Sequence, residues 1–295
     1  MSNGGIIGKP NTPSQLFARG IWTSPDNFLH KSGGTWPRVD VEFDVEFLVI
    51  GGGGTGSTLG SFGGSGGGAG GYLSSIVGEL GGINPVSLTN ASATYSVTVG
   101  ATGSDSVFSG TDTSAATFNF TAIAGGGATG NTGGSGSGGS PTGPGGSGTA
   151  NQGNAGSAGS VPHPDCVNSE YHCHSICQSS AYFGGGGGAG TAGSGRDGGD
   201  GKQSSVTGTA TYYSGGGHGS DLCSINGTAG LGQSNYGGGG NKGATGQDGV
   251  VFLKYSVGLA VSNPGGGLTM STTDVNGYRL TTITAGTGTI AFARS

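Results

Sequence analysis

Residues 46–71 read EFLVIGGGGTGSTLGSFGGSGGGAGG. A hydrophobic run, Phe47 to Ile50, passes directly into Gly51-x-Gly53-x-x-Gly56, the outline of a turn over which a dinucleotide pyrophosphate sits. That reading requires a helix after the glycines, because a helix N-terminus supplies the amide groups and dipole that hold the anion. Glycine instead recurs at about every second position, and each glycine inside a helix costs about 0.8–1 kcal/mol against alanine. No helix starts here. An acidic residue for the ribose is due about 20 residues on, but the next acid is Glu79. Ser57 stands where a phosphate loop needs lysine. These glycines serve some other purpose.

The whole chain raises the same issue, with 74 glycines and 10 prolines in 295 residues. Such a composition borders on low complexity. Yet only 8% of residues are charged and 31% are hydrophobic, and charge with low hydrophobicity is what keeps disordered chains open. The apolar residues are also clustered. The net charge of −5 offers no basic patch for nucleic acid. No run of about 18 apolar residues suggests membrane insertion. The start, MSNGGIIGKPNTP, has no charged n-region or apolar h-region of a signal peptide.

Composition divides the chain into residues 1–38, with Trp22, Phe28 and Trp36; residues 39–256, which hold nearly all the glycine; and residues 257–295, which read as a small β segment. In the middle part VDVEFDVEFLVI alternates, with Val39, Val41, Phe43, Val45 and Phe47 on one face and Asp40, Glu42, Asp44 and Glu46 on the other. ATYSVTVG, ATFNFTAIAG and DGVVFLKYSV also read as strands, as do YRLTTIT and GTIAFA near the end. The fold class expected is mainly β and irregular, with almost no α-helix beyond a short turn near Thr12–Ala18. Glycine tracts lie between the strands: 63–71, 124–140, 184–195, 215–219 and 237–246. They lack the strict triplet period of collagen. As flexible linkers they would separate domains, but little lies between them that is large enough to be one. The alternative is a bundle of extended, three-per-turn polyglycine-II-type helices. Without Cβ atoms the backbones approach closely, and their polar groups pair between tracts.

The order VEFLVIGGGGTG, GGGAGGY, YSVTVGATG, AGGGATG, FGGGGGAG, GGGG and GQDGVVFLKY resembles the glycine-rich domain of bacteriophage tail fibres and adhesins over residues 39–256. Residues 6–37 resemble a stretch that often precedes it. The resemblance implies a sandwich of glycine helices flanked by short strands, with variable loops at one end that touch the host surface. It also implies a place in the virion, in a tail fibre or another external appendage. Residues 1–38, with Trp22 and Trp36, are distinct in composition from the bundle and are expected to be the attachment segment. Partners would be a host receptor, either a glycan or an outer-membrane protein, and other fibre or tail proteins; such fibres are often homotrimers. A purely structural head or tail decoration is the alternative. An ice-binding bundle would want a flat face in place of aromatic loops.

One insert departs from the family pattern: residues 161–183, VPHPDCVNSEYHCHSICQSSAYF. His163, Cys166, His172, Cys173, His174 and Cys177 could bind zinc, but their spacing matches no common zinc site. Cys166, Cys173, Cys177 and Cys223 are disulfide candidates, with three possible pairings. Free thiols are the other reading. No metal or cofactor is expected. Tyr171, Tyr182, Phe183, Tyr212, Tyr213 and Tyr236, with His172 and His218, either cap the bundle or form a receptor surface, since tyrosine gives large contact area at low entropy cost. The loops 161–183 and 209–236 are expected to share one tip. No catalytic set emerges. No serine sits on a strand-turn-helix elbow, Cys173 and its histidine neighbours point apart in an extended loop, and Asp197, Asp200 and Asp221 sit in glycine-rich stretches without a rigid cleft. The expectation is a non-enzyme.

Overall fold

A computed structural model describes residues 42–59, 63–76, 79, 83–89, 93–161, 181–222 and 224–294. All of them lie in one of the two units into which the chain divides, Glu42–Ser295. Among the described residues twelve strands form: β1 (Glu42–Ile50), β2 (Tyr72–Ser74), β3 (Val86–Thr89), β4 (Tyr95–Val99), β5 (Ser106–Thr111), β6 (Thr117–Ala122), β7 (Lys202–Ser204), β8 (Thr211–Tyr213), β9 (Val250–Ser256), β10 (Leu259–Ser262), β11 (Leu268–Val275) and β12 (Tyr278–Arg294). No helix occurs among the described residues. The turn expected at Thr12–Ala18 and the attachment segment 1–38 lie outside them.

The main sheet runs β2-β1-β9-β12-β4-β5-β6, antiparallel throughout. It curls until its two ends nearly meet. Phe47 of β1 stacks on Phe120 of β6 at 4.3 Å, and the Gly71 amide before β2 donates to the Ile123 carbonyl after β6 at 2.7 Å. The result is a nearly closed, barrel-like sheet. Alternation explains its filling: Val45, Phe47 and Val49 point inward, with Val97, Phe108, Leu253, Ile283 and Ile290, and all are buried. Burying each such side chain stabilises by about 1.5–3 kcal/mol. Glu42, Asp44 and Glu46 take the opposite face, as the alternation predicts, and Glu46 pairs with Lys254 of β9 at 2.6 Å.

From Leu48 onward both faces of β1 are buried. Leu48 and Ile50 pack on the outside of the barrel with Tyr72, Phe252, Val206, Tyr213 and Ala189. The two C-terminal stretches YRLTTIT and GTIAFA are one strand, β12. Its first half pairs with β9 and its second with β4, so this strand turns a corner of the sheet. Gly286, at φ +99, sits at the handover, a backbone that residues with a Cβ rarely adopt. The C-terminal segment is thus built into the same sheet as β1.

The glycine tracts pack side by side beyond the barrel, and their hydrogen bonds repeat every third residue. In tract 63–71 the amides of Gly66 and Ala69 donate to the carbonyls of Gly184 and Gly187. Those of Gly67 and Gly70 donate to Gly240 and Gly237, and those of Gly68 and Gly71 to Gly126 and Ile123. Its carbonyls accept with the same step. Gly66 and Ala69 accept from Gly138 and Ser135, Gly68 and Gly71 from Gly54 and Gly51, and Gly64 and Gly67 from Ser220 and Gly217. One tract is thereby bonded to six neighbouring stretches. A β-ladder, with period two, reaches only two sides.

This pairs the backbone between tracts, with Ser65, Ala69 and Ser135 as small side chains that fit, all buried, and leaves no room for a Cβ at the packed glycine positions. Built at Gly66 it would fall on the Gly217 carbonyl oxygen, at Gly67 on that of Gly54 and at Gly186 on that of Gly67, each far inside contact distance. The tracts are therefore not linkers. Where no further tract is available, aspartates take over as acceptors. Asp197 accepts from the Thr228 amide at 2.6 Å, Asp200 from Leu231 at 2.8 Å and Asp105 from Ala124 at 2.7 Å.

Candidate recognition surfaces

Each tract carries the chain between two ends. At the proximal end, beside the barrel, lie Ile50–Gly51, Gly71–Tyr72 and Tyr213–Ser214, with Gly237 against the Ile50 side chain. At the distal end Gly63 lies near the Asp221 carbonyl oxygen and the Phe183 ring. The aromatic and histidine candidates are therefore sorted by whichever tract precedes them.

At the distal end Tyr182 exchanges both backbone hydrogen bonds with Ser160 at 3.0 Å and also bridges to Asp221. The two roots of the insert are thus clamped together, and residues 220–222 and 224–226 lie beside them. Phe183 is 3% exposed and packs with Ala181 and Leu222 as a small apolar plug. Asp221 is buried. Its Oδ2 accepts from Arg196 Nη1 at 2.9 Å and its Oδ1 from the Ile225 amide at 2.7 Å. Tyr182, Arg196, Asp197 and Asp221 line a small polar pocket of about 220 Å³. Ile225 is 56% exposed, an apolar side chain facing solvent. His218 is half-buried; its amide donates to Asn241 Oδ1 at 3.1 Å and its Nδ1 lies 3.1 Å from the Gly219 carbonyl.

Tyr212, Tyr213 and Tyr236 are at the proximal end, separated from Tyr182 by the length of tract 215–219, within which His218 lies. The single tip expected for loops 161–183 and 209–236 is therefore divided: of the described residues of the second loop, only 220–222 and 224–226 join the insert roots. Tyr213 is 5% exposed and, like Phe183, is a packing residue. It leans on Phe252 at 5.8 Å, and Tyr236 leans on the same ring at 6.3 Å. Burial pushes the ionisation of Tyr213 above its ordinary value. Tyr212 is 36% exposed.

Tyr171, His172, His163, His174 and all four cysteines, Cys166, Cys173, Cys177 and Cys223, lie outside the described residues. Among the described residues no cluster of His, Cys, Asp or Glu could hold a metal ion. Asp197 and Asp200 each spend a carboxylate oxygen on a backbone amide. Arg196 and Ile225 were not singled out from the sequence, and nothing in their local pattern marks them. Only the fold brings Arg196 across to Asp221.

No curated protein and no solved structure matches this chain. Residues 31–277, from ahead of β1 to the turn before β12, match the family described as a glycine-rich domain. That match takes in every glycine tract and all the barrel strands except β12, and the protein therefore belongs to the glycine-rich domain family.

Proposed function

We propose that this chain is a virion fibre or tail-tip protein of a bacteriophage, which binds a host-cell surface receptor through its distal end. On this reading the glycine tracts are polyglycine-II-type helices, and the bundle is a rigid stalk. The hydrogen-bond step of three residues supports that conformation. At 3.1 Å per residue a nine-residue tract spans about 28 Å, enough to hold the distal loops well clear of the barrel.

The observation that carries the reading is the distal end itself. There the insert roots, Tyr182, the Arg196–Asp221 pair and the exposed Ile225 come together on a scaffold whose packed glycine positions have no room for side chains. Recognition residues commonly sit on loops positioned by a rigid scaffold. The partner is a receptor glycan or outer-membrane protein, with residues 1–38 joining other fibre or tail proteins and the protein acting in the virion as a binding protein rather than an enzyme.

The test is competition. Purified protein added to host bacteria should bind them and block infection by the phage that carries it. Ile225→Asp should reduce binding about 30-fold if Ile225 is an anchor, with an unchanged melting temperature. Folded protein that neither binds cells nor blocks infection would make the chain a structural decoration.

A further inference from the structure

A second surface lies on the flank, where bundle and barrel meet. Tyr213, Tyr236, Ser234, Asn235, Gln247 and Asp248 surround an open depression of about 430 Å³, within the range of roughly 300–1,000 Å³ usual for small-molecule sites. Its aromatic side is fixed in advance. Phe252, on the outer face of β9, supports both tyrosine rings, so little rotamer freedom remains to be lost on binding.

Its polar side keeps unused capacity. Asp248 spends Oδ1 on the Thr102 amide at 2.8 Å and on the Thr102 hydroxyl at 3.3 Å, which leaves Oδ2 to accept. Asn235 donates from Nδ2 to the Tyr212 carbonyl at 2.7 Å, which leaves Oδ1 to accept. The side chains of Gln247 and Ser234 have no hydrogen-bond partner among the described residues. The depression thus offers a carboxylate, two amides and a hydroxyl beside aromatic rings, with no lysine or arginine in its lining.

We infer that this depression binds a neutral pyranose saccharide. A sugar hydroxyl both donates and accepts, so neighbouring hydroxyls match a carboxylate that accepts beside an amide that donates. The apolar C–H face of the ring matches the half-buried Tyr236, with the buried Tyr213 behind it as support. An acidic sugar or a phosphate would meet Asp248 without a compensating cation and is rejected. This site is separate from the distal end and does not depend on the receptor reading.

Saturation-transfer NMR on the full chain tests it, with the methyl glycosides of glucose, galactose and mannose and with N-acetylglucosamine as probes. Glucuronic acid serves as the charged comparison. At least one neutral probe should give a saturable signal in the millimolar range, and glucuronic acid none. Gln247→Ala should weaken that binding about fivefold, the loss of one hydrogen bond, at an unchanged melting temperature because the side chain is unengaged. Tyr236→Ala should abolish it. The proposal is overturned if none of the four neutral probes binds, if glucuronic acid binds best, or if binding survives unaltered in folded Gln247→Ala and Tyr236→Ala.

Discussion

The barrel and the glycine bundle solve the same problem with opposite means. In the barrel, side chains fill the space: Phe47, Phe108, Phe118 and Phe120 touch one another through edge-on and stacked rings, and the sheet supplies the hydrogen bonds. In the bundle the space between chains has been removed. Gly66, Gly67 and Gly68 each lie against foreign backbone, and the bonds that a sheet would make on two sides are made on several. A barrel of this kind is damaged by making a residue smaller. The bundle is damaged by making one larger. Stability in the first comes mostly from apolar burial. In the second, paired amides and dense contact must offset the large backbone entropy that glycine loses on folding.

The largest test of this contrast is Gly186→Val, which places carbon on the Gly67 carbonyl. It should leave no soluble folded protein. Gly258→Ala, at a β-turn where an added Cβ meets nothing within 4 Å, should express and melt as the parent does. If both variants melt alike, close approach does not hold the bundle.

Next comes the barrel. Phe108→Ala should cost about 3–5 kcal/mol, the usual range for emptying an aromatic core site, read by urea unfolding of protein that still folds. A loss under about 1 kcal/mol would mean that the barrel, like the bundle, rests chiefly on its backbone.

A smaller effect probes the seam between the two regions. Tyr72 ends tract 63–71 and begins β2, and its hydroxyl donates to Glu79 Oε2 at 2.5 Å. Burial first, then the Glu79 hydrogen bond and charge, hold its ionisation well above the ordinary tyrosine value of 10.0. Burial acts on Tyr95 and Tyr213 in the same direction. The folded chain keeps these protons where the unfolded chain loses them, so the stability they contribute is complete below pH 10 and falls as pH rises beyond it. Melting temperatures should drop above about pH 10, and Tyr72→Phe should make that drop shallower. An unchanged alkaline slope in the variant would remove Tyr72 as its source.

The sequence by itself determined the local chemistry. The alternation of Phe43, Val45 and Phe47 against Glu42, Asp44 and Glu46 set which face of β1 turns inward, and glycine at Gly51 to Gly71 ruled out a helix. It did not reveal that Leu48 and Ile50 would also be covered, because what covers them, Ala189, Val206 and Tyr213, lies more than 130 residues away. Nor did it reveal that YRLTTIT and GTIAFA continue as one strand through Gly286. The candidate surfaces show the same limit. Tyr182 and Tyr213 look alike in sequence, each beside a glycine tract, yet they lie at opposite ends. Their placement follows from how many tracts intervene and in which direction each runs. Glycine carries no side chain to mark a facing or choose a neighbour, so pairing within the bundle is decided by the packing of all the tracts together. Only the tertiary structure could make that choice.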